Sequence, residues 1–577
     1  MEIEKKKLAI IILAVILGVS GVGNVLLTLL AIYEQPPESG EILRLPWIYY
    51  PPVTIDPCNS IDRFSNDILD QVVETLVAYD LTDPDLPLVG SLAKSWYWLD
   101  NTTIEFKLRE NVFFHDGSRL TADCVLHTFT RINFFGNWTG TLDPDKYTMA
   151  FPHSLYKFED GMPIFNDTLS FTTGDYNVTL VLNRPYAPIE GLLGYTASAI
   201  VHPDSTPADN MLDVDEDLII GTGPFKLVRY IPNSEIRFAR WERYWRTGAY
   251  WDEIVYAYYT DYVTAFHALR DGDLDWLPFV RGKYHWWELN VTITGDGVHD
   301  YINGSVFWYI TFNSEIVNKT WRKAISHAFN YTYLIEAIDD HSTVRATSLV
   351  PPGFPAHNSS TRGARYNIPL ARQYMQKMGH GVGWDVGSQV GNKFTPGAHE
   401  SLWKSAQFIP DIGNFSNKQW NFRHREGSHF MELLIDRFIE DMDLIGIDIY
   451  SQILTYEEFI EMGQTHPDKL HIYYFGWGSD YLETFNLIDP LVNNESASNF
   501  ARINDPHIQN LLEQTIAETN TAARHILYKR LQGYIIDVQY YYMPLEYDKI
   551  WFVHAPNLKG FPYNCMKFLY WYPTYRE

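Results

Sequence analysis

Three cysteines in 577 residues exclude a disulfide-stapled scaffold, and no C-x-x-C pair is present to serve redox or zinc chemistry. Basic residues are scarce: 45 Lys and Arg face 71 Asp and Glu, leaving a formal charge of −26. A chain this acidic is repelled by phosphate backbones, so nucleic acid is excluded as a general partner. No H-E-x-x-H, G-x-S-x-G or complete Gly-rich phosphate loop occurs, and the 19 His are scattered. Gly221-Thr222-Gly223-Pro224 superficially suggests such a loop, but Pro224 removes a backbone donor that phosphate needs. The sequence therefore predicts no catalytic residue, no metal site and no cofactor. With 46% apolar and 15% aromatic residues, the chain has ample material for several packed cores.

Long hydrophobic runs are also lacking, with a single exception. Leu8–Ile32 holds 25 residues without a charge, directly after Lys5, Lys6 and Lys7. At about 1.5 Å per residue it exceeds the roughly 30 Å hydrocarbon layer, so it reads as a membrane-spanning helix. The lysines would stay cytoplasmic and place everything beyond Tyr33 outside. A cleaved signal peptide is opposed by the length of the run and by the lack of an A-x-A-like site. Eleven N-x-S/T sequons, from Asn101 to Asn494, agree with an outward-facing, glycosylated body. Among the cysteines, a Cys58–Cys565 bridge between the chain ends stays open as one pairing.

Beyond a short Pro-containing linker (34–40), strand and helix patterns alternate, which predicts a mixed α/β architecture in more than one lobe. Ile104–Leu108 alternates as a half-buried strand, Val112–Phe114 continues it, and His115-Asp116-Gly117 supplies a turn. Thr121 is placed to cap the helix that follows. From Phe430 to Leu444, apolar residues recur at i, i+3, i+4, i+7, i+8 and i+11, an amphipathic helix closed by Gly446. Further helices are predicted over Pro506–Ala517 and Ala522–Val538.

Several stretches taken in order carry a resemblance. They are Thr54-Ile55-Asp56-Pro57, QVVETLVAY (71–79), LVGSLAKSW (88–96) and IEFKLRENVFFHDGSRLT (104–121). GTGPF (221–225), Arg243-Tyr244-Trp245, Asp273-Leu274-Asp275, WRKAISHAFN (321–330), LVPPG (349–353) and GWGSDY (476–481) follow. Together they resemble the extracellular solute-binding proteins of peptide-type ABC importers, from Ile42 to the end. Cys124 departs from the family's usual Asp, and YLETFNLIDP after Asp480 departs from its early Asp-Pro. No lipid-bearing Cys follows the apolar run.

The resemblance implies a two-lobed, type II periplasmic-binding-protein-like fold with an extra subdomain, preceded here by the membrane helix. Lobe I would combine 41–80, 201–311 and 543–577, with 81–200 as its added subdomain and 312–542 as lobe II. The hinge would pass near Thr311–Asn313 and Tyr541–Leu545. The implied function is a receptor that closes over a peptide and delivers it to an ABC permease and its ATPase subunits. An oligosaccharide or metal chelate is the alternative ligand within the same family. Asp480 matches the carboxylate that pairs with a peptide's α-ammonium. Gly476 would let the peptide approach the chain, and Trp477 would cover it. Arg425, or Arg423 beside it, falls where an arginine would grip the terminal carboxylate.

Overall fold

The computed structural model describes residues 41–577, apart from 49–50, 61–62, 82, 84–85, 137–154, 159, 280–297, 339–342, 409–419, 426–428, 563 and 567–568. The expected Leu8–Ile32 membrane helix and the 34–40 linker lie outside the described residues. Among the described residues no helix is long and apolar enough to cross a membrane.

Three sheets organise the body. In the first, Ile42–Trp47 pairs in parallel with Glu253–Tyr258, and Glu235–Arg240 and Phe225–Ile231 extend the sheet antiparallel. Leu43, Leu45 and Trp47 are buried there with Phe225, Ile236, Phe238, Ile254 and Trp571, while Arg44 between them faces out. The second sheet belongs to the 81–200 region and is ordered Ala93–Trp98, Thr103–Leu108, Asn177–Val181, Phe171–Thr172. Its alternation buries Ile104, Phe106 and Leu108, as the pattern predicts. Val112–Phe114 forms only an isolated bridge, Phe113 to Arg119, because the turn at Gly117 (φ +91°) begins at once.

The third sheet has seven strands and is built on two long ones, Val298–Phe312 and Tyr542–His554, paired antiparallel. At one end Trp276–Phe279 pairs with Trp551–His554. At the other, Phe307–Phe312 pairs with Ile472–Trp477, which leads on to Trp420–Arg425 and Ile449–Leu454. Between these ends the ladder breaks. Asn303 faces Lys549, and the next pair is Phe307 with Tyr547. In the gap, Asp548 Oδ1 accepts the Val306 amide at 3.1 Å, replacing a lost ladder bond. A Cβ on Gly304 would lie 2.0 Å from that same oxygen, so the position admits only glycine without movement.

One apolar cluster joins the second sheet to the chain beyond Ile472, uniting Ile104, Phe129 and Leu192 with Phe485, Leu491 and Tyr528. Polar contacts cross the same junction. The Ala187 amide donates to the Ile516 carbonyl at 2.7 Å, and the Tyr79 hydroxyl donates to the Leu482 carbonyl. Glu190 accepts from the Trp96 and Trp98 indoles at 2.9 and 3.2 Å and pairs with Arg524 at 3.2 Å. Glu483, also buried, faces the same guanidinium.

The helices are locally determined. His429–Asp443 and Pro506–Ala517 fall where the periodicity puts them, and Gly446 takes φ +77° beyond the first. The Cys58–Cys565 bridge is corrected: all three cysteines are free and buried. Burial pushes the Cys58 and Cys565 thiols up to about 12. At the sequons Asn166, Asn177 and Asn358, the amide nitrogen a glycan would take donates to Asn183, Thr173 and Lys529 of the same chain.

The buried charges at the junction yield a prediction. Arg524→Met leaves Glu190 and Glu483 buried without a counter-charge and should cost about 3–5 kcal/mol in a urea titration. Adding Glu190→Gln should recover part of that loss.

Candidate functional site

The Ile472–Trp477 strand emerges from the third sheet into a loop, 478–483, that feeds the Thr484–Val492 helix. Gly476 pairs across the ladder with Trp308, whose ring stacks on Tyr474 with centroids 5.5 Å apart and planes 8° from parallel. A Cβ on Gly476 would meet the Trp308 ring at 2.5 Å. The lack of a side chain at this glycine is thus required by Trp308. Trp477 is half-buried and donates its indole N–H to the Asn486 carbonyl at 3.0 Å.

Asp480 sits at the tip of the loop, half-buried. Its amide donates to Asn486 Oδ1 at 2.8 Å, and its carboxylate accepts from Asn486 Nδ2 at 3.2 Å. Among the described residues no lysine or arginine pairs with it. Burial without a counter-charge pushes its carboxyl up to about 6, against the opposing effect of the Asn486 hydrogen bond. Tyr481 beside it is buried and lies 6.3 Å from the ring of Tyr195. Phe485 meets Tyr186 edge-on at 5.7 Å, so aromatic side chains of the 81–200 region wall the loop from the opposite side.

Arg425 ends the Trp420–Arg425 strand opposite Leu454, and its side chain lies outside the described residues. The parallel pairing of Arg423 with Tyr473 runs its strand toward the same end of the sheet as Gly476 and Trp477. Arg423 itself is engaged locally, donating to Gln452 Oε1 at 3.0 Å and to the Lys469 carbonyl. It is therefore held away from Asp480. Among the described residues no cluster of three His, Cys, Asp or Glu could hold a metal.

Two constellations escape a reading of sequence alone. Glu74, buried within VVETLV, accepts from Thr222 Oγ1 and the Tyr244 hydroxyl at 2.9 Å and from the Trp245 indole at 2.9 and 3.1 Å. The GTGPF glycines pack on the same helix end: a Cβ on Gly221 or Gly223 would lie 2.0 or 2.7 Å from the Val72 carbonyl oxygen. His115 closes the knot by contacting the Gly223 carbonyl at 3.0 Å, and burial holds its imidazole down at about 4. Asp56, the acid of the T-I-D-P motif, forms a buried two-pronged pair with Arg131, with one contact at 2.8 Å. The signal for both is a carboxylate set in apolar sequence, which demands internal donors.

Residues 87–499 match the model of the bacterial extracellular solute-binding proteins, family 5 Middle. The chain belongs to this family. Among curated relatives, this family 5 protein is similar to heme-binding protein A of Haemophilus influenzae. The two are 24% identical over 85% of this chain and 84% of the relative. It is 20% identical to the oligopeptide-binding protein OppA of Bacillus subtilis, over 88% of each chain. Among solved structures, the periplasmic binding protein DppA from Helicobacter pylori, in complex with the peptide STSA, superposes with TM-score 0.65 at 18% identity. That match covers 93% of this chain and 97% of the other. The fold is accordingly the two-lobed periplasmic binding protein fold, and the relatives are binding proteins by name.

The raised Asp480 carboxyl has a defined sign. Its folded value, about 6, exceeds the usual 3.8, so the ionised form costs stability in full above pH 6 and the cost fades as pH falls from about 6 to about 4. Empty Asp480→Asn should therefore melt at or above wild type at pH 7.5, with the difference closing at pH 4. Scanning fluorimetry at the two pH values checks this.

Proposed function

We propose that this family 5 protein is the receptor of an ABC importer and captures peptides by their free amino terminus. The observation that carries the reading is Asp480, a half-buried carboxylate with no counter-cation among the described residues. An α-ammonium supplies that missing charge, and because every peptide has one, the grip works without side-chain selectivity. The peptide ligands in the names of OppA and the DppA complex support the same class. Trp477 and the aromatic wall around Tyr186 and Tyr195 would enclose the bound end, and Arg425 is the candidate partner for a terminal carboxylate. The overall charge of −26 favours approach of a cationic tip.

In this reading the lobes are 41–80 with 201–311 and 543–577, the 81–200 subdomain, and 312–542, with Leu8–Ile32 holding the body at the outer face of the membrane. The Val298–Phe312 and Tyr542–His554 strands would carry the hinge near Thr311–Asn313 and Tyr541–Leu545, and the ladder break at Gly304 and Asp548 falls within lobe I. A ligand that touches both lobes favours the closed form by its differential affinity for it. A permease and its ATPase subunits would receive the loaded form.

Four outcomes are expected. In calorimetric titrations, Asp480→Ala should lose two to four decades of affinity for free-amino peptides, about 3–5 kcal/mol. N-acetylated peptides should bind wild type and variant equally weakly; wild-type affinity in the variant would remove amino-terminal capture. Peptide affinity should fall as pH drops from 7 to 5, because protonating Asp480 near 6 removes the charge. X-ray scattering should show the radius of gyration shrinking on adding peptide. Heme and oligosaccharides in the same panel test the other ligand classes.

A further inference from the structure

We propose that Asn486 is the positioning residue of the binding loop, a side chain that fixes Asp480 for the ammonium of a bound peptide. The proposal rests on the reading of Asp480 given above and adds the residue that makes it work.

Asn486 occupies the first turn of the Thr484–Val492 helix and is buried, with 6% of its surface exposed. An Asn there would ordinarily serve its own helix. That task already belongs to Glu483, whose carboxylate accepts the Phe485 amide. The Asn486 side chain instead reaches back over the loop. Its Oδ1 accepts from the Asp480 amide at 2.8 Å and from Ser479 Oγ at 2.9 Å. Its Nδ2 donates to Asp480 Oδ2 at 3.2 Å, and its main-chain carbonyl accepts from the Trp477 indole at 3.0 Å. One residue thereby ties down the backbone of the loop, the orientation of the carboxylate and the aromatic wall.

The chemistry of the amide suits the task. A primary amide offers a donor and an acceptor at fixed separation, so it can hold an amide N–H and a carboxylate of the same residue together. It adds no charge, whereas a lysine or arginine in its place would neutralise Asp480 and remove the reason for a cation to bind. With Nδ2 on one carboxylate oxygen, the carboxylate cannot swing freely when the site is empty, which lowers the ordering cost of binding. The surrounding titratable groups leave this arrangement undisturbed. Tyr481 and Tyr186 face each other, burial keeps the Tyr481 hydroxyl protonated, and Glu483 faces Arg524.

The test uses the full chain with Asn486→Asp, Asn486→Ala and Asp480→Asn. Its readouts are affinity for a free-amino and an N-acetylated tetrapeptide from pH 5 to 8, and the titration of the Asp480 carboxyl carbon by NMR. Asn486→Asp keeps both acceptor contacts of Oδ1 but turns the donor into a second carboxylate. It should keep the fold with a lowered melting temperature, while the Asp480 midpoint moves above 6 and free-amino affinity at pH 7 falls about tenfold or more. Asn486→Ala should lose the preference for the free over the acetylated peptide and also raise the midpoint. In Asn486→Ala, which adds no charge, a residue that only stabilised the loop would leave the midpoint unmoved. If Asp480→Asn abolishes binding while both Asn486 variants keep wild-type affinity and midpoint, the positioning role is overturned and amino-terminal capture stands. If Asp480→Asn binds like wild type, amino-terminal capture falls, and an unmoved carboxyl titration in Asn486→Asp overturns the positioning role separately. Should Asn486→Ala fail to fold, Asn486→Asp alone decides between these outcomes.

Discussion

Negative charge buried without its full complement of positive charge is the constraint around which this protein is arranged. Glu190 and Glu483 share one guanidinium, that of Arg524, where the 81–200 region meets the chain beyond Ile472. A few residues before Glu483, Asp480 has no cation at all among the described residues. Desolvated carboxylates are tolerable only where hydrogen-bond donors are dense, and the indoles of Trp96 and Trp98, the Thr222 hydroxyl and the Asn486 amide are such donors. Glu74 and Asp56 are fully satisfied and serve to hold the first sheet to its neighbours. Asp480 has no lysine or arginine paired with it among the described residues, and in the proposed function a ligand's positive charge takes that place.

The sheet architecture explains how such a group can be both sheltered and reachable. Gly476 and Trp477 end a strand in the middle of the seven-stranded sheet, so the loop carrying Asp480 starts from a rigid base. The two long strands of that sheet continue past a ladder break into the region that pairs with Trp276–Phe279. The strand that carries the loop thus pairs directly with one of the two long strands, Val298–Phe312, whose far half holds the break.

Local features were legible in the sequence because each depends on a few adjacent residues. The helix predicted from Phe430 forms as His429–Asp443, the strand Ile104–Leu108 is found within Thr103–Leu108, and Gly446 adopts the positive φ expected past a helix end. The 221–225 glycines, the T-I-D-P acid and the VVETLV glutamate were visible as motifs, but their partners lie tens to more than a hundred positions away. Only the folded chain shows that Arg131 takes Asp56 and that Thr222, Tyr244 and Trp245 take Glu74. Gly476 was singled out for its lack of a side chain, and the folded chain adds a neighbour that sequence did not show: strand pairing puts the Trp308 ring where a Cβ would lie. Asn486 is six residues from Asp480, yet nothing in YLETFNLIDP announces that a helix side chain folds back onto the loop before it.

The three thiols have a practical consequence. Nucleophilic attack on maleimides and similar reagents proceeds through the thiolate, and burial suppresses that form at Cys58 and Cys565 while Cys124 is shielded by packing. With the natural thiols buried, single cysteines introduced one in 201–311 and one in 312–542 would accept fluorophores in preference to them. Distances between such dyes would then report opening and closing in real time on an otherwise unaltered chain.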